Sequence, residues 1–409
     1  MKNPLFARLA EQGHVISRDF TTPGDIESGK LEELVKNGIV YAITTNPTSN
    51  EAVYMHDSGL QRRAKVLATT IDDVTQVYDE LFISAIIVPA TVVLEKVNRA
   101  EHGIAYHRSF PIVLQQKTRF LHGYASYEFR PRFTQEAEKV KEGEVRAALD
   151  EILRLSSLIQ KKTGRKNFFI KVPATPSGIE AGKRALALGC NINYTLVASS
   201  AQYEETVKAA ILGKHEYFTR SGTFSEGCAA ESVSSIFVSR TDRAIDPLVP
   251  AGIKGQAGLA YVKLRIYPVF ERYFLGDHAI ELIGEDWQSF AKLTGARIQQ
   301  IYWGSTGVKD EKGKYTTDPK YMGQLKAPGT TNTAPPEVID ALSMMKELPF
   351  DASLTIWNGL DEARNVLEKI ASMGIGIEAQ LHAVYKDGLA AFAKSDAATF
   401  ARLEKDIRG

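Results

Sequence analysis

Short apolar runs of the length of β-strands alternate along this chain with segments that have the apolar periodicity of helices. The candidate strands lie at residues 14–19, 38–44, 124–129, 167–172, 190–197, 232–238, 298–304 and 353–357. Most of them are followed by a helical segment before the next strand begins, which is the order expected of a parallel sheet. The pattern therefore predicts an α/β protein.

The predicted helices carry their own start and stop signals. They lie at about 28–36, 134–162, 177–189 and 258–274. In the second helix, apolar residues from Val145 to Ile159 recur on one face, and Gly164 follows as a stop. In the third helix, Ser177 and Glu180 have the spacing of a capping box.

About eight strands alternating with helices favour a sheet closed into a (β/α)8 barrel, with a doubly wound open sheet as the alternative. No Gly-x-Gly-x-x-Gly follows the first strand, which weakens a dinucleotide-binding version of the open sheet. No low-complexity linker divides the chain, so we expect one TIM barrel domain over residues 1–409, with extra helices. Segments 81–121 and 213–230 are predicted insertions, and the charged loop 309–320 is predicted to be solvated.

The composition narrows the possible partners. Of 409 residues, 44% are hydrophobic and 24% charged, and a formal net charge of +1 gives no long-range attraction for nucleic acid or an anionic membrane. The longest apolar stretch, 81–94, is shorter than a membrane span and contains Pro89, and residues 1–20 lack the apolar core of a signal peptide. We therefore expect a cytoplasmic protein without nucleic-acid or membrane partners.

Cysteine and histidine usage gives no sign of a metal site. Cys190 and Cys228 fit neither a disulfide framework nor a paired metal-ligand motif, and so few cysteines agree with a reducing compartment. The eight histidines are dispersed, and His102 with His107 is too weak a pair to predict a ligand set. No metal is expected.

In a parallel barrel the catalytic groups lie at the carboxyl ends of the strands. Polar or ionisable residues that interrupt or close the predicted strands are therefore candidate site residues. They are Asp19, Thr44, Thr45, Asn46, Glu128, Lys171, Asn193, Thr195, Ser235, Arg240 and Ser305. Almost every strand contributes at least one of them.

Lys171 stands out because it interrupts the apolar run Phe168-Phe169-Ile170-Lys171-Val172-Pro173. An ammonium there is costly to bury without a partner or a pKa that leaves it neutral, and a neutral amine is the form that attacks a ketone. Local sequence alone favours a lysine that reaches solvent at a strand end or pairs with a carboxylate. The wider set of motifs favours the amine that attacks a ketone.

Two of these motifs resemble those of transaldolases. Ala42-Ile43-Thr44-Thr45-Asn46-Pro47-Thr48 is similar to the family's Thr-Ser/Thr-Asn-Pro signature, and Ile170-Lys171-Val172-Pro173-Ala174-Thr175 is similar to its Schiff-base lysine motif. Further segments that resemble the family, in its longer bacterial form, are 126–132, 191–196, 235–240, 303–307 and 328–333. The resemblance spans most of the chain and weakens over the two predicted insertions.

The resemblance implies a transferase of the pentose phosphate pathway. Transaldolases move a dihydroxyacetone unit from a ketose phosphate (sedoheptulose 7-phosphate or fructose 6-phosphate) to an aldose phosphate (erythrose 4-phosphate or glyceraldehyde 3-phosphate). By resemblance, Lys171 forms a Schiff base with the donor ketone, so neither a metal nor an organic cofactor is needed. Asp19 takes the proton of the cleaving hydroxyl, with Asp25 as the alternative carboxylate. Glu128 serves carbinolamine dehydration through a water held with Thr195.

The same resemblance implies a set of substrate-binding residues, which are Asn46, Thr44, Asn193, Ser235, Phe237, Arg240, Ser305 and Lys309. Arg240 is implied to bind the phosphate, a task that suits its planar fork of donors. Shorter transaldolases carry a second phosphate arginine just after the serine of the seventh strand, whereas here Ser305 is followed by Thr306-Gly307-Val308-Lys309. Lys309 is the candidate replacement, and whether it completes the phosphate site stays open.

Two other functions compete with the transferase. Fructose-6-phosphate aldolases of the same superfamily release free dihydroxyacetone, and they generally place glutamine where Glu128 stands and tyrosine where Phe237 stands. Both positions therefore favour the transferase. The second alternative is a catalytically silent barrel that only binds sugar phosphates. Against it stands the joint presence of Lys171, Glu128, Asn193, Thr195 and Arg240.

Overall fold

Eight parallel strands close into a barrel in chain order. They are β1 His14–Arg18, β2 Ala42–Thr44, β3 Tyr124–Glu128, β4 Phe168–Pro173, β5 Ile192–Val197, β6 Ser232–Phe237, β7 Gln300–Gly304 and β8 Thr330–Ala334. Because β1 pairs with both β2 and β8, the sheet has no open edge. The predicted (β/α)8 barrel is confirmed, and the doubly wound alternative is wrong. This computed structural model describes residues 4–11, 14–100, 122–134, 137–221, 229–310, 313–345, 347, 351 and 354–408.

Helices surround the barrel. They are α1 Pro4–Glu11, α2 Pro23–Glu27, α3 Lys30–Lys36, α4 Pro47–His56, α5 Ser58–Leu67, α6 Val74–Phe82, α7 Val88–Ala100, α8 Glu142–Thr163, α9 Pro176–Ala187, α10 Ser200–Ser221, α11 Ser239–Ile245, α12 Ala257–Tyr261, α13 Tyr267–Phe270, α14 Ile280–Ile283, α15 Trp287–Thr294, α16 Lys320–Gln324, α17 Pro336–Ser343, α18 Leu360–Ser372 and α19 Ile377–Arg408. Segments of π-helix at Ile83–Ile87, Val262–Ile266 and Glu271–Leu275, and 3-10 turns at Pro131–Phe133 and Asp246–Leu248, adjoin them.

An apolar layer fills part of the barrel interior. Its members, each from a different strand, are Ala42, Tyr124, Phe169, Val233 and Tyr302. Side chains alternate between the two faces of a strand, so the residue two positions further along points into the barrel as well. On β4 this places Lys171 one layer above Phe169, nearer the carboxyl end of the strand. Polar residues therefore lie above an apolar floor.

The eighth strand is not the predicted one. The strand expected at 353–357 is wrong, because residues 356–359 form a turn and residue 353 lies outside the described part of the chain. Thr330–Ala334 pairs with β7 and β1 instead. Its threonines and asparagine are buried although they are polar. Because the segment contains no apolar run, its sequence pattern does not predict a strand.

Three other boundaries differ from the prediction. β2 begins only at Ala42, and α8 begins at Glu142 rather than near residue 134. Helix α9 is capped by Thr175, whose hydroxyl accepts a hydrogen bond from the Gly178 N–H at 2.9 Å. The Ser177 hydroxyl accepts one from the Lys141 N–H at 2.9 Å, so the predicted capping box is wrong and Ser177 instead ties the start of α8 to α9.

The two predicted insertions lie partly outside the described residues. Residues 81–100 belong to the helical run from α6 to α7, and residues 213–221 end α10, whereas 101–121 and 222–228 are not described, and with them Cys228, His102 and His107. Within the described residues, one helical run, Val74–Val97, is long and apolar enough to cross a membrane. Because 67% of its most apolar window is buried inside the protein, it also fits a core helix.

Candidate active site

A buried lysine and glutamate face each other at the carboxyl ends of β3 and β4. Lys171 and Glu128 are paired in register, and their side chains form an ion pair in which Nζ lies 2.9 Å from Oε2. The lysine side chain is 7% exposed and that of the glutamate 0%. Lys171 Nζ also donates a hydrogen bond to the Thr45 carbonyl oxygen at 3.2 Å. The ammonium is therefore held by one carboxylate and one carbonyl inside the barrel.

Burial dominates the electrostatics of Glu128. It raises the pKa of the carboxyl group to about 7, against the opposing attraction of Lys171, while the charge of Asp19 raises this pKa further and that of Arg240 lowers it. A carboxylic acid with a pKa near neutrality can both accept and donate a proton under physiological conditions. Lys171 and Glu128 together can therefore form and protonate intermediates of amine addition to a carbonyl.

The structure distinguishes the two aspartates near the first strand. Asp19 follows β1 and accepts hydrogen bonds from the Thr44 hydroxyl at 3.1 Å and from the Phe20 N–H at 3.0 Å. Asp25 instead caps α2 with Thr22 and forms an ion pair with Arg18 at 2.8 Å. Asp19 is therefore the carboxylate that lies with Thr44 near Glu128, whereas Asp25 is engaged in fixing the start of a helix.

Three polar side chains, on β3, β5 and β6, form a hydrogen-bonded row inside the barrel. The Asn193 amide nitrogen donates to the Ser126 hydroxyl at 3.1 Å, and the Ser235 hydroxyl donates to the Asn193 amide oxygen at 2.8 Å. Asn193 is fully buried, so these two bonds fix the orientation of its amide. Thr195, buried on the same strand, is in register with Pro173.

Asn46 lies at the end of β2 and begins α4. Its side-chain oxygen accepts a hydrogen bond from the Ser49 N–H at 2.9 Å, and the Ser49 hydroxyl accepts one from the Asn46 N–H at 2.9 Å. The Asn46 side chain is thus oriented by a capping box while its amide nitrogen makes no hydrogen bond to any described residue. That donor is available to a ligand.

Arg240 and Phe237 form one wall of the mouth. The guanidinium carbon of Arg240 lies 4.0 Å from the ring centre of Phe237. Burial is the main cause that lowers the pKa of Arg240, to about 10, and the neighbouring charge of Arg243 adds to it. The buried Nε of Arg240 has no hydrogen-bond partner among the described residues, which leaves a donor for an anion.

Ser305 and Lys309 lie on the connection after β7. Ser305 adopts a positive φ of 52°, and its carbonyl oxygen accepts a hydrogen bond from the Ser239 N–H at 3.1 Å, which ties this connection to α11. Lys309 Nζ lies 4.6 Å from the ring centre of Tyr315. Burial, followed by the charges of Arg243 and Arg240, lowers the pKa of Lys309. The loop predicted to be solvated thus places one of its lysines close enough to Arg240 to feel its charge.

Sequence reasoning did not single out three residues that lie near the candidate site residues. Arg130, within the quoted segment 126–132, is buried and paired with Asp396. Arg243 follows Arg240 by one helical turn, and Tyr315 lies in the loop predicted to be solvated. The spacing of Arg243 from Arg240 was a usable signal, whereas nothing in the sequence indicates which side of the Lys309 loop faces the barrel.

No group of three histidine, cysteine, aspartate or glutamate side chains is placed to hold a metal ion in the part of the chain that the structure describes. Cys190 is half-buried and free, and burial raises the pKa of its thiol. The candidate site is therefore made of lysine, carboxylates, amides, hydroxyls and arginine.

Comparison with known proteins identifies a family and relatives that match nearly the whole chain. The family described as Transaldolase/Fructose-6-phosphate aldolase matches residues 18–403. "Transaldolase 1" of Streptomyces coelicolor is 30% identical over 397 residues, which cover 94% of this chain and 90% of the relative. "Transaldolase" of Renibacterium salmoninarum is 28% identical over 396 residues (95% and 93%), and that of Mycobacterium tuberculosis 27% over 413 residues (96% and 95%).

Proposed function

The chain belongs to the transaldolase/fructose-6-phosphate aldolase family, as its motifs predicted, and we propose that it is a transaldolase acting through a Schiff base on Lys171. It transfers a dihydroxyacetone unit from sedoheptulose 7-phosphate or fructose 6-phosphate to erythrose 4-phosphate or glyceraldehyde 3-phosphate, in the cytoplasm and within the pentose phosphate pathway. The observation that carries the proposal is the buried ion pair of Lys171 with Glu128 inside the barrel.

The first half of the reaction forms the Schiff base. Lys171 Nζ gives a proton to Glu128, which lies 2.9 Å away, and the neutral amine adds to the donor ketone carbon. The resulting carbinolamine loses its hydroxyl as water, with the proton supplied by Glu128 through a water held with Thr195. The iminium that remains is an electron sink for the neighbouring carbon–carbon bond.

The second half cleaves and rebuilds that bond. Asp19 accepts the proton of the hydroxyl that becomes an aldehyde, the carbon–carbon bond breaks, and its electron pair moves into an enamine on Lys171. The first aldose leaves and a second one enters. The enamine then attacks the new aldehyde, Asp19 returns its proton to the alkoxide, and hydrolysis of the iminium frees Lys171.

The remaining candidate residues are assigned to substrate binding. Asn46 and Asn193 hold hydroxyls of the dihydroxyacetone unit, Thr44 orients Asp19, and Ser235 contacts the same unit. The set is completed by Phe237, Arg240, Ser305 and Lys309 around the phosphate end. Support comes from the unpartnered donor of Arg240 and from the fixed amide of Asn193.

A fructose-6-phosphate aldolase is the second candidate, because the family includes both activities. Glu128 and Phe237 stand where those smaller relatives generally carry glutamine and tyrosine, and this favours the transferase. A carboxyl group beside Lys171 also gives the amine a nearby base, which an amide does not. A barrel that only binds sugar phosphates does not need a buried pair of a lysine and a carboxylate.

Borohydride trapping with fructose 6-phosphate tests the proposal. We expect a mass adduct of reduced dihydroxyacetone on the wild-type protein and on Lys208→Ala, which removes a surface lysine, but none on Lys171→Ala. Turnover of fructose 6-phosphate is expected to be much faster with erythrose 4-phosphate than without it. A wild-type protein without an adduct contradicts the Schiff base, and equal release of dihydroxyacetone with and without acceptor supports the aldolase.

A further inference from the structure

Three cations cluster on the β6–β7 side of the barrel mouth. They are Arg240 and Arg243 on α11 and Lys309 on the connection after β7. Residues three apart on a helix are neighbours on its surface, so Arg243 extends the positive charge of Arg240 outward. None of the three forms an ion pair with any residue that the structure describes. Unpaired cations that repel one another are best stabilised by a ligand with more than one negative charge.

Lys309 is held in this cluster by a short hairpin. Val308 and Thr316 are joined by a backbone hydrogen bond of 2.8 Å, and Lys309 is paired with Tyr315 across the hairpin. The Lys309 ammonium lies over the Tyr315 ring, 4.6 Å from its centre. Both arginines reach this ammonium electrostatically, and their charges, after burial, lower its pKa.

Gly307 fixes where the Tyr315 ring lies. A Cβ atom at Gly307 would come within 2.6 Å of the Tyr315 ring and 2.8 Å of the Pro335 side chain, so only glycine allows this packing. Relatives that carry an arginine just after the serine of the seventh strand place their second cation on this same connection. In this chain the space beside the strand end is taken by a tyrosine.

Tyr315 is close enough to interact electrostatically both with Asp19 and with the two arginines of the cluster. Partial burial, the charge of Asp19 and the charge of Glu337 raise the pKa of its phenol, while Arg243 and Arg240 lower it. The side chain is still 41% exposed, and its hydroxyl makes no hydrogen bond to a described residue. A phenol in this position can donate to a ligand that enters the mouth.

We propose that Arg243 and Tyr315 complete, with Arg240 and Lys309, the subsite that binds the terminal phosphate of the substrate. Arg240 and Arg243 contribute guanidinium donors, Lys309 a point charge and Tyr315 a hydroxyl. The inference rests on the proposed function, since it assigns the phosphate end of the same substrate. In this subsite, Arg243 from α11 and Tyr315 from the hairpin take the place of the second arginine that the shorter transaldolases carry after the seventh strand.

The test compares fructose 6-phosphate with fructose as donor, using unphosphorylated glyceraldehyde as acceptor so that only the donor carries phosphate. We expect Arg243→Gln to raise the KM for fructose 6-phosphate about tenfold and Tyr315→Phe about threefold, as for the loss of a charge-assisted and a neutral hydrogen bond. The kinetics with fructose stay at the wild-type level. Arg243→Lys restores part of the loss, and Arg265→Gln, an exposed arginine on the π-helical segment after α12, is the matched control.

The outcomes separate this inference from the proposed function. If the wild-type protein forms no borohydride adduct with fructose 6-phosphate, the proposed function fails. If the adduct forms but both Arg243→Gln and Tyr315→Phe keep the wild-type KM for fructose 6-phosphate, the phosphate subsite is overturned. A parallel loss with fructose and fructose 6-phosphate also overturns it, because the defect is then not directed at the phosphate. Should Arg243→Gln fail to fold, Arg243→Lys and Tyr315→Phe carry the same comparison.

Discussion

Glu128 combines complete burial with a charged neighbour. Desolvation raises its pKa, the Lys171 ammonium 2.9 Å away lowers it, and the net result is about 7. Such a group loses and regains its proton near neutral pH. The value also explains why a carboxyl group rather than an amide suits this position, since only the former changes its protonation state.

The pH dependence of the rate follows from this pKa. Below about pH 7 Glu128 becomes protonated, so it no longer accepts the proton of the Lys171 ammonium, and kcat/KM is expected to fall as the pH is lowered. Glu128→Gln is expected to reduce kcat by about 10²- to 10⁴-fold, the usual contribution of a general acid or base. The fall near pH 7 should be absent from the profile of the variant.

Steady-state kinetics from pH 5.5 to 9 provide the measurement, with Glu205→Gln, an exposed glutamate on α10, as control. A profile that keeps its acidic limb in Glu128→Gln assigns that limb to another group. In that case Asp19, the carboxylate whose charge acts on Glu128, becomes the residue to replace.

At the scale of single elements, the long C-terminal helix α19 connects distant parts of the site. It contacts α4, the turn Pro131–Phe133 and α11, which follow β2, β3 and β6. Gly388 of this helix allows a close approach to the barrel, because a Cβ atom there would lie 3.3 Å from a terminal nitrogen of Arg240 and 3.2 Å from Leu196. The helix is thus part of the wall against which Arg240 packs.

Arg130 fastens this helix to the end of β3. Its guanidinium group makes hydrogen bonds of 2.9 to 3.2 Å to both carboxylate oxygens of Asp396 and lies 3.2 Å from the ring centre of Phe400. Arg130 and Asp396 side chains are only 9% and 7% exposed. Because Arg130 is two residues from Glu128, this ion pair joins the helix to the strand that carries Glu128.

Breaking this pair should be costly. Asp396→Ala leaves the Arg130 charge buried without its partner, and we expect the free energy of unfolding to fall by about 3 to 5 kcal/mol. Asp396→Asn, which keeps one acceptor, should lose less. Urea denaturation measures the change, with Asp387→Ala, an exposed aspartate of the same helix, as control. A loss in Asp396→Ala no larger than in Asp387→Ala would show that the pair does not hold the helix.

The sequence predicts a strand best where both faces of the strand are buried, because its residues then form an apolar run. β4 and β5 fit that description, apart from their inward polar residues, and were found within two residues. β8 was missed because Thr330, Asn332 and their neighbours are polar although buried. The strand expected at 353–357 is apolar because Ile356 is buried and Trp357 packs on Tyr267 within a turn.

At the scale of the whole molecule, the barrel explains why residues far apart in the sequence could be assigned to one site. Parallel strands end at the same side of the sheet, so Asp19, Glu128, Lys171 and Asn193 had to meet once the strands were ordered correctly. No comparable rule determines where the loops lie over the barrel. Tyr315 and the Arg130–Asp396 pair depend on how segments fold over the barrel, and no local pattern encodes those contacts.

Binding of phosphate should therefore stabilise the whole fold. A ligand that binds only the native state raises the free energy of unfolding by RT ln(1 + [L]/Kd), about 2.7 kcal/mol at a concentration of 100 Kd. We expect inorganic phosphate to raise the melting temperature by a few degrees above sodium chloride of equal ionic strength. Arg240→Gln should abolish the difference, because it removes the buried arginine around which the cations cluster, while Arg265→Gln should retain it. A difference that persists in Arg240→Gln would place the anion elsewhere on the molecule, and its absence from the wild-type protein would leave the three cations without a phosphate-binding role.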